Sequence, residues 1–253
     1  MTDRVAIVLF NLGGPNSPEA VRPFLFNLFN DPAIIGLPGP FRRFLAWLIS
    51  RRRAPVAREI YEKMGGGSPL LPNTRRQAAA LEAAIGERWS GTREARVFVS
   101  MRYWHPFAAE VAREVAAFGP ERVILLPLYP QFSTTTTGSS FEDWRRAARA
   151  AGIVATESAV CCYPVQAGII GAAADTIRET VAGHEGTDFR LLFSAHGLPK
   201  KVIDKGDPYQ WQIEQTAAAI AGRLGDRFAD WVVCYQSRVG PLEWIGPSTD
   251  AEI

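Results

Sequence analysis

Short runs of apolar and β-branched residues alternate along the chain with longer segments whose apolar residues recur at helical spacing. This alternation is typical of parallel strands joined by crossover helices, so the sequence predicts an α/β fold. The predicted strands are residues 5–10, 95–101, 122–128, 153–160, 190–195 and 230–235. Three helix starts are predicted at capping residues, namely Ser17, Asn73 and Ser139, the last with Glu142 three residues later.

Residues 23–49 are strongly apolar and rich in aromatic side chains. They do not form a transmembrane span, because charged residues and prolines interrupt the roughly 20 apolar residues that a bilayer crossing needs. The interrupting residues are Asp31, Pro32, Pro38, Pro40, Arg42 and Arg43. We predict a pair of short amphipathic helices followed by the run Arg51-Arg52-Arg53. Such a segment lies on an anionic membrane surface, lines an apolar pocket, or packs as an ordinary helix pair with a solvated charge run.

Composition narrows the class of protein. The 253 residues are 47% hydrophobic and 21% charged with a formal charge of +2, which is ordinary for a globular protein and gives no indication of nucleic-acid binding. The three cysteines, Cys161, Cys162 and Cys234, lack Cys-x-x-Cys spacing, which disfavours a disulfide framework and a structural zinc site. The N-terminus has no signal-peptide pattern, so we expect a cytoplasmic protein.

Two glycine runs are candidates for ligand contact. Asn11-Leu12-Gly13-Gly14-Pro15 follows the first predicted strand, and Gly65-Gly66-Gly67-Ser68-Pro69 lies further along. Neither matches G-x-G-x-x-G or a P-loop, so a nucleotide-binding enzyme is excluded. Tight turns and close backbone approach to a flat ligand both remain open for these glycines.

His196 stands at the carboxyl end of a predicted strand, where ligands bind in open parallel sheets. A neutral imidazole there can accept a proton or bind iron, although a lone histidine is more often structural. Ser194 nearby does not indicate a serine hydrolase, because the chain has no G-x-S-x-G elbow. The hydroxyl-rich residues 129–140 either hold a carboxylate at a helix start or form an ordinary cap.

Taken together, these segments resemble the ferrochelatase family from Val5 to the end of the chain. The motifs that carry the resemblance are Leu12-Gly13-Gly14-Pro15, Arg52-Arg53-Ala54-Pro55, Tyr61 with Gly65-Gly66-Gly67-Ser68-Pro69, Arg102-Tyr103-Trp104-His105-Pro106, Tyr129-Pro130-Gln131 with Thr136-Thr137-Gly138-Ser139-Ser140, Ser194-Ala195-His196-Gly197-Leu198-Pro199, Gly206-Asp207-Pro208-Tyr209, and Tyr235-Gln236-Ser237-Arg238-Val239-Gly240-Pro241 with Trp244. The last motif is similar to the proteobacterial and mitochondrial form.

The resemblance implies two Rossmann-like, doubly wound lobes with parallel sheets and a porphyrin cleft between them. It implies an enzyme, a lyase of haem biosynthesis that inserts ferrous iron into protoporphyrin IX. We place the N-terminal lobe at residues 1–138, with an apolar lip at about residues 23–55, and an incomplete C-terminal lobe at residues 139–253.

The same resemblance implies roles for single residues. His196 faces the porphyrin centre as the catalytic proton acceptor or as a ligand of the Fe²⁺ substrate, with a partner glutamate expected beyond Ile253. The implied substrate-binding residues are Leu12, Arg52, Arg53, Tyr61, Ser68, Arg102, Tyr103, Tyr129, Thr136 and Trp244. No permanently bound cofactor is implied, and Thr134 at the position of an internal cysteine argues against a [2Fe–2S] cluster of that arrangement, while an arrangement that uses only C-terminal cysteines stays open.

Two alternatives and two further expectations accompany this interpretation. A non-catalytic porphyrin or haem carrier would share the fold, as would a chelatase for another tetrapyrrole or metal. The expected partners are protoporphyrin IX and ferrous iron, with peripheral membrane contact through the lip and no nucleic acid. Because residues 246–253 indicate a turn and only the first turn of a helix, we expect a C-terminally truncated chain that is inactive on its own.

Overall fold

The computed structural model describes residues 3–89, 93–184, 188–228, 230–237 and 242–253. Its strands are β1 (Asp3–Asn11), β2 (Arg93–Met101), β3 (Arg122–Pro127), β4 (Thr156–Ala159), β5 (Leu191–His196) and β6 (Trp231–Gln236). Its helices are α1 (Val21–Phe29), α2 (Gly39–Lys63), α3 (Leu70–Arg88), α4 (Ala108–Phe118), α5 (Ser139–Ala150), α6 (Ala167–Thr180), α7 (Lys200–Asp204), α8 (Tyr209–Leu224) and α9 (Thr249–Glu252). The predicted α/β class is confirmed, and each predicted strand overlaps an observed one.

Unit one comprises the residues up to Tyr129 together with Thr134–Cys161, and contains a parallel sheet in the order β2-β1-β3-β4. The central strand β1 is buried on both faces. Its even-numbered residues pack with α4 and α5, where the ring of Phe10 lies 5.6 Å from Phe141 and 6.0 Å from Trp144 between centroids. Its odd-numbered residues pack against α3. Helices therefore cover both faces, as in a doubly wound fold.

Unit two comprises Pro130–Ser133 and Cys162–Ile253. Strands β5 and β6 pair in parallel, with Leu191 opposite Trp231 and His196 opposite Gln236. Helices α6 and α8 pack together through a cluster that also includes Phe193 of β5. The lobe boundary near residue 138 stays a prediction.

The predicted helix starts at Ser17 and Asn73 are wrong, whereas α5 begins at Ser139 as predicted. Helix α1 begins at Val21 after Ala20, and α3 begins at Leu70, which places Asn73 inside its first turn. The residue before α5 is Gly138, which ends a π-helical turn over Thr134–Gly138. The Ser139 hydroxyl does not cap α5, because it donates to a carboxylate far away in the sequence.

The apolar segment forms one short helix, α1, and one long helix, α2, rather than the predicted pair of short helices. Arg51, Arg52 and Arg53 lie inside α2 instead of after it, because the helix continues past them and through Pro55. Among the described residues, no helix has the length and apolar character needed to cross a membrane.

Candidate functional site

An apolar cluster lies at the carboxyl ends of β1 and β2. Tyr103 is fully buried in it, and Leu12 and Tyr61 pack against it while remaining partly exposed. The cluster also takes in buried residues of α1 and α2, namely Val21, Phe24, Leu25 and Ala54. The structure thus brings together three of the predicted substrate-binding residues, from parts of the chain up to 91 residues apart.

The two glycine runs lie against each other. A Cβ at Gly14 would come within 2.5 Å of Ser68 Cβ, and a Cβ at Gly67 would come within 2.9 Å of the Asn16 carbonyl oxygen. The Ser68 backbone N–H donates to the Pro15 carbonyl at 2.8 Å. Close approach between two loops of the chain therefore accounts for the glycines at 14 and 67, and it places Ser68 beside the residues that follow β1.

Arg102 and Tyr103 follow β2 and converge on one buried carboxylate, that of Asp31. Arg102 Nη2 lies 2.7 Å from Asp31 Oδ2, and the Tyr103 hydroxyl donates to the same oxygen at 2.8 Å. Burial, followed by the negative charge of Asp31, raises the pKa of Tyr103. The phenol is therefore a proton donor at neutral pH.

Asp31 was missed as a functional residue by the sequence reasoning, which treated it only as a polar interruption of an apolar segment. The one signal in the sequence is that interruption itself, because an acidic residue within an apolar stretch is buried only when it is paired. Asp31 is 4% exposed.

Three buried hydroxyls lie near the end of β3. They belong to Tyr129, Thr137 and Ser140. Burial raises the pKa of Tyr129, an effect that the neighbouring Ser140 and Arg102 reduce. Thr136, a predicted substrate-binding residue in the same hydroxyl-rich segment, is half-buried.

Arg52 and Arg53 are exposed on α2, and the Arg53 guanidinium lies over the Phe29 ring at 5.8 Å. The start of the same helix exposes large aromatic side chains, with Phe41 at 69% and Phe44 at 64%. Cationic and apolar groups therefore share the surface of α2.

His196 is the last residue of β5, and its side chain is exposed. The backbone around it is held on two sides, since the Tyr209 hydroxyl donates to the His196 carbonyl at 3.1 Å and Gly197 N–H donates to the Gln236 carbonyl at 2.8 Å. A Cβ at Gly197 would lie 3.4 Å from Trp244 Cε3, which places Trp244 beside the residue that follows His196 in unit two. The position at a strand's carboxyl end is as predicted.

The surrounding atoms desolvate the His196 ring enough to lower its pKa below the ordinary value, although one side remains open to solvent. Partial burial disfavours the charged imidazolium, so we expect the Cε1 proton of His196 to titrate with a midpoint below 6.5 in an NMR experiment. The same histidine in the urea-denatured chain provides the reference. A midpoint equal to or above that reference would contradict the desolvation inferred from the structure.

The predicted site residues fall into two groups. Nine of the predicted substrate-binding residues lie in unit one, while His196 and Trp244 lie in unit two. Within the described ranges, no group of three or more His, Cys, Asp and Glu side chains could hold a metal ion. Arg238, Val239, Gly240 and Pro241 of the last motif lie outside the described residues.

Parallel strands covered by helices on both faces, with polar and aromatic residues following the strands, define a ligand-binding α/β protein of the doubly wound class. The model of the family described as "Ferrochelatase" matches residues 4–253. The chain therefore belongs to the ferrochelatase family.

Two curated relatives agree with this assignment. The chain is 60% identical over 255 residues to the ferrochelatase of Caulobacter vibrioides strain NA1000, covering 100% of the chain and 72% of the relative. It is 58% identical over 252 residues to the ferrochelatase of Phenylobacterium zucineum strain HLK1, covering 99% and 72%. A solved structure of SirB from Bacillus subtilis with Fe³⁺ aligns with a TM-score of 0.49 at 10% identity, over 95% of this chain and 68% of that one.

Proposed function

We propose that this protein inserts ferrous iron into protoporphyrin IX to give protohaem, with His196 as proton acceptor or iron ligand. Family membership and the ferrochelatase relatives support the activity. The observation that carries the role of His196 is an exposed imidazole at the carboxyl end of a parallel strand, with a lowered pKa. Both roles need an unprotonated ring nitrogen, which the lowered pKa provides at neutral pH.

The remaining roles are assigned from the contacts in unit one. Leu12 and Tyr61 are partly exposed beside an apolar cluster, which suits contact with the face of a macrocycle. Arg52 and Arg53 present exposed guanidinium groups on α2, which suits pairing with propionate carboxylates. Ser68, Thr136 and Tyr129 add hydroxyls, and Trp244 adds an aromatic ring beside His196.

The decisive experiment is a metal-insertion assay on the purified full-length protein with protoporphyrin IX and ferrous, cobaltous or zinc ions under anaerobic conditions. The proposal requires catalytic formation of protohaem over many turnovers. Tight porphyrin binding without insertion of any metal would indicate a carrier instead. Insertion of cobalt or zinc but not iron, or turnover only with another tetrapyrrole, would indicate a different chelatase.

Ferrous iron is a substrate of this reaction rather than a resident group. Thr134 stands where an internal cluster cysteine would be needed, so we propose that the protein carries no [2Fe–2S] cluster of that arrangement. Acid-labile sulfide and visible absorption of the full-length protein, purified anaerobically, test this expectation.

We also propose peripheral membrane contact through the apolar lip. Its exposed apolar side chains are Ile34, Leu37, Phe41, Phe44 and Trp47, and the exposed cations Arg43, Arg51, Arg52 and Arg53 lie on the same helix as the last three. Apolar burial and attraction to anionic lipid act together on such a surface.

The double substitution Phe41→Ser with Phe44→Ser should weaken binding to anionic liposomes by about 100-fold or more, because each phenylalanine loses roughly 1.5–3 kcal/mol of apolar burial. Cosedimentation with the liposomes at low salt measures this binding. Val154→Ser is the matched control, since Val154 is 95% exposed outside the lip and should bind like the unmodified protein. Equal binding by all three proteins would rule out the lip as the contact surface.

A further inference from the structure

Asp31 joins three distant parts of unit one. Its Oδ2 accepts from Arg102 Nη2 at 2.7 Å, from the Tyr103 hydroxyl at 2.8 Å and from the Ser139 hydroxyl at 2.5 Å. Its Oδ1 accepts from the Ala33 backbone N–H at 2.8 Å. The connection between α1 and α2 is thereby tied to the residues that follow β2 and to the start of α5.

The same contacts determine the position of the Arg102 guanidinium. Nη2 is held by Asp31, and Nε donates to the Ser139 hydroxyl at 2.7 Å. The third nitrogen, Nη1, has only a long contact of 3.5 Å to Asp143. Two short bonds on one edge fix the plane of a guanidinium, so Nη1 is the nitrogen that remains available to a substrate.

We propose that Asp31 is a positioning residue for metal insertion and acts through Arg102, an inference that rests on the function proposed above. Asp31 itself is 4% exposed, and both of its carboxylate oxygens already accept hydrogen bonds. The Arg102 side chain retains 18% exposure, and Nη1 is the nitrogen with the longest contact to a described residue. A buried residue that does not touch the substrate can change the turnover rate by orienting a residue that binds the substrate. Small displacements of such a binding residue lower turnover strongly.

The alternative is that Asp31 only stabilises the fold, as many buried ion pairs do. The two roles differ in how the effects of two substitutions combine. If Asp31 acts through Arg102, removing Asp31 matters little once the guanidinium is absent. If Asp31 only stabilises unit one, the effects of the two substitutions on turnover are independent.

The test is a double-mutant cycle in the full-length protein with Asp31→Asn and Arg102→Gln. Turnover is normalised to porphyrin-binding sites titrated by fluorescence, so that unfolded protein does not enter kcat. Asp31→Asn should lower kcat by about 10- to 100-fold, as expected for a displaced binding group. In the Arg102→Gln background the same change should lower kcat by less than about twofold.

Two further variants keep the proposal falsifiable if Asp31→Asn folds poorly. Ser139→Ala removes one bond to Asp31 and one to Arg102 without leaving a buried charge unpaired, and should also lower kcat with no additional effect in Arg102→Gln. Asp143→Asn weakens the long contact to Nη1 and the exposed pair of Asp143 with Arg146, leaves both bonds from Arg102 to Asp31 and Ser139 in place, and should change kcat by less than about fivefold.

The proposal would be overturned if the fold-losses in kcat caused by Asp31→Asn and Arg102→Gln multiply in the double variant. It would also be overturned if Asp143→Asn lowers kcat as much as Asp31→Asn does. Asp31→Asn turning over at the unmodified rate would overturn it as well. A separate result, the absence of metal insertion by the unmodified protein, would refute the proposed function itself and is seen before any variant is made.

Discussion

His196→Ala in the full-length protein should abolish insertion of ferrous iron while leaving porphyrin binding largely intact. The substitution removes the group that accepts a proton or binds the metal, but it leaves the apolar cluster around Tyr103 in unit one unchanged. General acid–base groups contribute about 100- to 10,000-fold, which sets the expected loss in kcat. Anaerobic protohaem formation measures turnover, and quenching of intrinsic fluorescence measures porphyrin affinity.

His105→Ala is the matched control for this experiment. His105 is also a histidine in a family motif, but its ring is exposed and lies 2.8 Å from the half-buried Glu110 carboxylate. Turnover of His105→Ala should match that of the unmodified protein. Near-normal turnover of a folded His196→Ala protein would refute the role of His196, and a parallel loss of porphyrin affinity would show that its main effect is on binding.

Trp144→Ala should lower the free energy of unfolding of unit one by about 3–5 kcal/mol, the range for loss of a large buried aromatic. Trp144 is 1% exposed and packs against Phe10 of the central strand. The surrounding side chains come from the sheet and from α4, so they cannot all move in to fill the space. Urea unfolding followed by circular dichroism at 222 nm measures the change.

Trp211→Ala provides the comparison, because Trp211 is 59% exposed on α8. Its loss removes little buried surface, and alanine is the better helix former, so the midpoint should move only slightly. A similar midpoint for both variants would show that the cluster around Phe10 does not determine the measured stability.

The strands were predictable because their signal is local. Residues 5–10 form an unbroken apolar run, as expected for a strand buried on both faces, and the structure buries every residue of that run. The histidine at the end of β5 was predictable for the same reason, since the strand pattern and the following turn residues are adjacent in the sequence.

Contacts over long sequence distances explain what was missed. Ser139 has the sequence of a helix cap, but its hydroxyl bonds to Asp31, which is 108 residues away. Nothing near either residue indicates the other. Likewise, α2 extends past Arg53, and Ala54 packs into the cluster around Tyr103. The run of three arginines does not indicate this distant contact.

The substrate-binding set was obtained from family resemblance rather than from spacing. Leu12, Tyr61 and Tyr103 have no shared periodicity, and only the fold brings them into one cluster. Their roles stay predictions, as does the glutamate expected beyond Ile253. The curated relatives quoted above extend beyond the part that this chain covers, which is 72% of their length.

The central position of β1 has a consequence for synthesis on the ribosome. This strand is translated before its two neighbours, β2 and β3, with Val5 paired to Ala95 and to Arg122. At about 5–20 residues per second, the nascent chain carries the strand for roughly 6–24 seconds before β3 is made. The edge that pairs with β3 and the face that α4 and α5 cover lack their complete set of native neighbours throughout that interval, so early translation of this protein is the stage at which chaperone binding has most to protect.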